Sequence, residues 1–186
     1  MRSRSPQHHQ AGASMIEILV TILIMAFGLL GMTGLQMRLQ LSEVESYQRS
    51  QALLLLNDMA SRIATNRTGA PSYVTGATYG AGMACPTSTT TTADRDLKEW
   101  CLGLQGAGET SNAGATQQGA MVGGRGCVET VDGDYLVTVA WQGMTPISAP
   151  PTSVTCGAGV YDDGSNCKDD MCRRVVTTVV RIATLL

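Results

Sequence analysis

The sequence predicts an α+β fold: a long N-terminal α-helix packed on a small antiparallel β-sheet, with loops tied by disulfides. Three observations carry this expectation. An uncharged run of 20 residues from Ile18 to Met37 continues into a helical pattern that reaches Arg67. Two β-branched segments, Tyr135 to Trp141 and Arg173 to Leu185, lie near the C-terminus. All six cysteines fall between them and the helix or beside them.

The run ILVTILIMAFGLLGMTGLQM, as a helix at about 1.5 Å per residue, spans ~30 Å, the thickness of a bilayer's hydrocarbon core. Arg2 and Arg4 precede it, and basic residues stay on the cytoplasmic side. The expected topology is a single pass through the inner membrane, with the N-terminus cytoplasmic and the C-terminal part periplasmic. A cleaved secretory signal is the competing reading, but the apolar run exceeds an ordinary h-region and no small-x-small cleavage site follows. Neither Pro nor Gly occurs from Leu35 to Met59 and on to Thr68. Leu41, Val44, Ala52, Leu55, Met59 and Ile63 recur at spacings of three and four, with the polar Gln48 interrupting the row. Thr68-Gly69-Ala70-Pro71 supplies a stop. One helix from Ser14 to Arg67 would be about 80 Å long, too long to be buried in a domain of this size.

Beyond Pro71 the chain turns rich in Gly, Ala, Thr and Ser, which predicts long surface loops in need of crosslinks. Ala93 to Leu102 reads as a short helix with Asp94 as its cap and Leu97, Trp100 and Cys101 facing inward. Val128 to Val131, Asp132-Gly133-Asp134 and Tyr135 to Trp141 read as a hairpin, and Arg173 to Leu185 as a third strand. A sheet of three or four strands follows. The run between Cys156 and Cys172 is expected as a disulfide-bounded loop between the last two strands.

Composition narrows the function. Thirteen basic and 15 acidic residues give a net charge of −2, against a direct nucleic-acid partner. His8 and His9 are the only histidines, so the folded part has no imidazole for triad catalysis or a His-dependent zinc site. No enzyme, cofactor or metal is expected. Cys85, Cys101, Cys127, Cys156, Cys167 and Cys172 show no Cys-x-x-Cys and no zinc spacing, so they predict disulfides and an oxidising compartment. The short helix pairs Cys85 with Cys101, and the other four are left unassigned. Asp162, Asp163, Asn166, Asp169 and Asp170 offer oxygen ligands to calcium, but without EF-hand spacing they read as a solvated acidic turn. Gly103, Gly106 and Gly108 lack the strand and lysine of a phosphate loop.

Glu17 stands at the edge of the apolar run, where a carboxylate is costly and calls for a partner. A short basic leader ending in Gly12, a chain restarting at Ala13, Glu at the fifth position after that glycine, and a long apolar helix occur together. In this combination the chain resembles the type IV prepilin family. The Gly-Leu-Leu-Gly run, DGDYLVTVAWQG and CRRVVTTVVRIATL are further similar to its PilV group of minor pilins. One departure is Ala13, where the family usually has Phe.

The resemblance implies a pilin-like fold with a leader over 1–12, a transmembrane and filament-core half-helix over 13–37, an amphipathic half over 38–67 and a periplasmic domain over 68–186. It implies cleavage by the prepilin peptidase between Gly12 and Ala13, N-methylation of Ala13, and a role for Glu17 in subunit assembly. Implied partners are other minor pilins and the major pilin through the N-terminal helix, the inner-membrane assembly platform, and lipid before extraction into a pilus supporting twitching or adhesion. In the same light Gly28, Gly31 and Gly34 are points where the helix loosens; close packing and simple tolerance of Gly are the other readings. A type II secretion pseudopilin shares the leader, helix and Glu. A single-span anchored binding module is the alternative of a different class.

Overall fold

A computed structural model describes residues 12, 14–107, 110–111, 116–117, 121–162 and 166–183. The chain divides into two compact units, Met1–Ser42 and Glu43–Leu186. Helix α1, Met15–Thr65, contributes to both.

In the first unit the helix starts with the amides of Glu17 and Ile18 donating to the Ser14 carbonyl at 3.0 and 3.2 Å. From Met15 to Ser42 every side chain is exposed. The hydroxyls of Thr21 and Thr33 donate back to the Ile18 and Leu30 carbonyls, both at 2.8 Å. The two threonines of the apolar run thus find partners on their own helix, as an apolar surround demands.

The second unit holds the core. Here α1 buries Gln48, Ala52, Leu56, Met59 and Ile63, one stripe at spacings of four, four, three and four. The expected stripe is corrected at several positions. Leu41 and Val44 are exposed, Leu56 takes the place given to Leu55, and Gln48 is a full member of the row at 2% exposure. The helix ends at Thr65, and the chain continues through Asn66 into a 3₁₀ helix, Arg67–Tyr73, with Pro71 inside it. The stop expected at 68–71 is therefore a tighter helix, in which the Gly69 amide donates to the Asn66 carbonyl at 3.1 Å. Ala70 and Tyr73 face the core from it.

Helix α2 spans Thr92–Leu104 and buries Ala93, Leu97, Trp100, Cys101 and Leu104. Its cap is Thr91: the Thr91 hydroxyl accepts from the Asp94 amide at 3.0 Å, and the Asp94 carboxylate accepts from the Thr91 amide at 3.1 Å. Asp94, expected as the cap, is the third residue of this reciprocal capping box.

Strands β1 (Tyr79–Gly80), β4 (Arg125–Val131), β5 (Asp134–Gln142) and β6 (Arg173–Val180) form one antiparallel sheet in the order β1-β4-β5-β6. Two-residue strands β2 (Thr110–Ser111) and β3 (Thr116–Gln117) pair with each other. The β4–β5 hairpin closes at Val131↔Asp134. Asp132 and Gly133, at φ 52° and 86°, occupy a turn that needs two left-handed residues, which Asp-Gly supplies at little strain.

Val128, Val137, Val139 and Trp141 join the helical side chains in the main core. The opposite face of β5 is also closed, since Thr138 and Ala140 are fully buried. The loop between β5 and β6 covers it. Cys156 bonds Cys127 on β4, and the Tyr161 hydroxyl donates to the Gly123 carbonyl at 2.8 Å. A β-strand covered on both sides shows no inside-outside alternation, which is why residues 137 to 141 are buried without a break.

Candidate functional site

Three disulfides join Cys85–Cys101, Cys127–Cys156 and Cys167–Cys172. The first ties the loop before α2 to that helix. The four cysteines whose pairing the sequence left open fall into two bonds at the ends of the β5–β6 loop. Cys156 reaches back to the hairpin, and Cys167 closes a short loop with Cys172. The buried Arg173 guanidinium donates to the Val154 and Cys156 carbonyls at 2.7 and 3.2 Å and pairs with Asp170 at 3.1 Å, which links the two arms of the loop.

The acidic turn is consumed by the same structure. Asp162 accepts from the Asp170 amide and Asp170 from the Gly159 amide, both at 2.8 Å. Asp163 lies outside the described residues. Among the described residues, no three His, Cys, Asp or Glu side chains are placed to hold a metal ion.

A polar hub that sequence reasoning missed joins α1, the 3₁₀ helix and α2. Arg62 bonds Asp58 at 2.9 Å and both Asp96 and Glu99 at 2.8 Å. Partial burial disfavours its charge, but the hydrogen bonds it donates to Glu99, Asp58 and Asp96 outweigh this and raise its pKa. The Tyr73 hydroxyl donates to Asp96. Burial first, and then the neighbouring Asp96, push the Tyr73 phenol up to about 12. No spacing rule connects residues 62, 73 and 96, so only the fold could reveal the hub. Its surroundings are helix termini and core, and its chemistry is structural.

The remaining candidate is the apolar part of α1. It is the one described helix long and apolar enough to cross a membrane, and none of its most apolar stretch is buried. Met15, Phe27, Leu30 and Met37 are each at least 66% exposed. A Cβ added at Gly28, Gly31 or Gly34 would meet open space, so this side of the helix is unpartnered. Glu17 lies in its first turn, exposed, and makes no ion pair among the described residues. Gly12 is described and exposed, whereas Ala13 and residues 1–11, with most of the expected leader, lie outside the described residues.

A surface of this size needs an apolar environment. No family model, no curated protein and no solved structure matches this chain.

Proposed function

We propose that the chain is a minor pilin of the type IV kind, closest in character to the PilV group. It would be a structural subunit, anchored by its apolar helix in the inner membrane and later drawn into a fibre with the major pilin and other minor pilins. The observation that carries this reading is a carboxylate, Glu17, at the start of an apolar helical surface that is exposed throughout among the described residues. Cleavage after Gly12 would leave an ammonium on Ala13. In a bundle of such helices, the Glu17 of one subunit would meet the amino terminus of its neighbour. Two opposite charges about 4 Å apart attract several-fold more strongly in a low-dielectric surround than in water. Pairing would neutralise both and set the axial register, with the prepilin peptidase and an assembly platform as the machinery.

Intact-mass measurement on protein extracted from the membrane tests the reading. Loss of Met1–Gly12 with one added methyl group supports it, and a full-length chain would point instead to an anchored binding module. Glu17→Ala is expected to leave the subunit stable in the membrane and absent from sheared fibres. Normal incorporation of that variant would refute the role of the carboxylate.

A further inference from the structure

Strand β6 ends the sheet order β1-β4-β5-β6, so one of its two rows of backbone groups faces no further strand. The register identifies that row. The Gly143 amide donates to the Cys172 carbonyl at 2.8 Å, which extends the pairing of Gln142 with Arg173 by one hydrogen-bonded pair. In an antiparallel ladder such pairs alternate with non-hydrogen-bonded ones. Arg174, Val176, Thr178 and Val180 therefore turn their N–H and C=O groups toward β5, and Val175, Thr177 and Val179 turn theirs outward. Among the described residues, no backbone hydrogen bond reaches these three on the outer side.

An open edge is a template for another strand, and proteins ordinarily blunt it with a proline, a lysine or a bulge. Strand β6 uses none of these. It reads RRVVTTVV and pairs with β5 without a break from Arg173 to Val180. Its basic residues are already neutralised: Arg173 pairs with Asp170 at 3.1 Å, Arg174 with Glu45 at 3.5 Å, and Arg181, just past the strand, with Asp134 at 2.9 Å. The outward row is uncharged and wholly β-branched, which suits a pleated strand. Thr177 and Val179 are exposed, the latter at 51%.

The row is also symmetric, because a valine stands two places either side of Thr177. A second copy, turned about a two-fold axis that passes through Thr177 perpendicular to the sheet, presents the same row in reverse. Thr177 then lies opposite its own equivalent, and Val175 lies opposite Val179 in both directions. Paired threonines and paired β-branched residues are favourable cross-strand neighbours, and no charge of the outward row meets a like charge. Each of Val175, Thr177 and Val179 would donate one amide hydrogen bond and accept one. An edge that matches itself calls for an isologous contact, in which one patch serves both copies.

We propose that the outer edge of β6 pairs with the β6 edge of a second copy of this chain, antiparallel and in register about Thr177, so that the two sheets continue into one. The pairing consumes both β6 edges, so it closes at two copies. The inference rests on the second unit alone and holds whether or not the chain enters a fibre.

Full-length protein in detergent micelles provides the test, through site-specific crosslinking and mass in solution. Thr177→Cys sets two thiols across the axis on Cα atoms about 5.5 Å apart, a separation that a disulfide bridges. Mild oxidation is expected to link two copies of that variant with the three native disulfides kept. Val131→Cys should stay unlinked, since Val131 is 46% exposed but lies two strands away from the edge. Thr177→Lys sets two ammonium groups face to face at an exposed position, and sedimentation equilibrium should show self-association weakened about tenfold or more. A monomer at every concentration overturns the proposal, as does equal crosslinking at both cysteine positions. A dimer indifferent to Thr177→Lys also overturns it and would place the contact in the apolar helix. If the Thr177→Cys chain in its native membrane links to a different protein and not to itself, the second copy is the wrong occupant.

Discussion

The two parts of α1 dispose of apolar side chains in opposite ways. From Met15 to Ser42 leucines, isoleucines and methionines point in every direction and none is covered. From Glu43 to Thr65 the apolar residues gather into one stripe, and Ala52, Met59 and Ile63 lose all contact with solvent. Backbone geometry is the same in both. The contrast shows that helix formation and helix burial are separate problems: propensity and hydrogen bonds within the helix settle the first, and a partner settles the second. The second part finds its partner in α2 and the sheet. The first is exposed throughout among the described residues.

The largest effect should come from cutting between the two. A chain beginning at Glu43 is expected to move from the membrane pellet entirely to the soluble fraction and to retain a cooperative thermal transition. A truncated protein that aggregates, or lacks such a transition, would mean that the apolar part is needed for folding as well as anchoring. Within the second unit, Trp100→Ala is the next most damaging change. Trp100 is 1% exposed, and its indole N–H donates to the Leu55 carbonyl at 2.9 Å, fastening α2 to α1. A loss of about 3–5 kcal/mol is expected from denaturant unfolding.

The disulfides rank by the chain they enclose. Cys127–Cys156 spans 29 residues and Cys167–Cys172 only five. By loop-closure entropy, replacing the first pair by serines should cost ~3–4 kcal/mol and the second pair ~2 kcal/mol. Equal losses would show that the short bond acts chiefly by holding Asp170 against Arg173.

Some of this was legible in the sequence. An uncharged run from Ile18 to Met37 needs no tertiary information to be read as a helix, and Leu97, Trp100 and Cys101 announce the inner face of α2 by spacing alone. Asp-Gly between two β-branched runs fixed the hairpin. Gln48 was unreadable because its burial depends on what packs over it, not on its polarity. Thr91 was missed because Asp94 lies in the same first turn, and a capping box uses both residues. The pairing of Cys127 with Cys156 depends on the β5–β6 loop folding back across the outer face of the sheet, a proximity with no trace in spacing. Glu17 was conspicuous for the converse reason: the side chains around it are uniformly apolar.

Alkaline pH separates the two parts of the helix again, since the perturbed tyrosines belong to the second unit. Burial, then Asp96, raises Tyr73 to about 12, and burial raises Tyr161 to about 12 against the opposing charges of Arg125 and Arg173. A phenol whose folded pKa exceeds its ordinary value near 10 contributes stability that is complete below pH ~10 and lost as the pH rises through the folded value. The melting midpoint of the second unit should therefore be level to about pH 10 and fall above it. Tyr73→Phe should make that fall shallower, and an unchanged slope would show that the phenol titrates as freely as in the unfolded chain.

The smallest effect lies at the start of α2, and it has the opposite sign in pH. The Asp94 carboxylate is held down to about 2, first by the Thr90 hydroxyl, then by the Thr91 amide and the Ser88 hydroxyl. A carboxylate with a depressed folded pKa contributes stability above its unfolded value, and the contribution disappears as the pH falls toward the folded one. The acid limb of the melting curve should lose a component in Asp94→Asn, which keeps an acceptor for the Thr91 amide but has no charge to protonate. Thr91→Ala removes the other half of the box and should cost about 1 kcal/mol at neutral pH. That loss should be read in the second unit alone, where α2 lies. If Asp94→Asn left the acid limb unchanged, the exposed box would be a feature of geometry without energetic weight, and the start of α2 would depend on the Cys85–Cys101 bond and Ala93 packing instead.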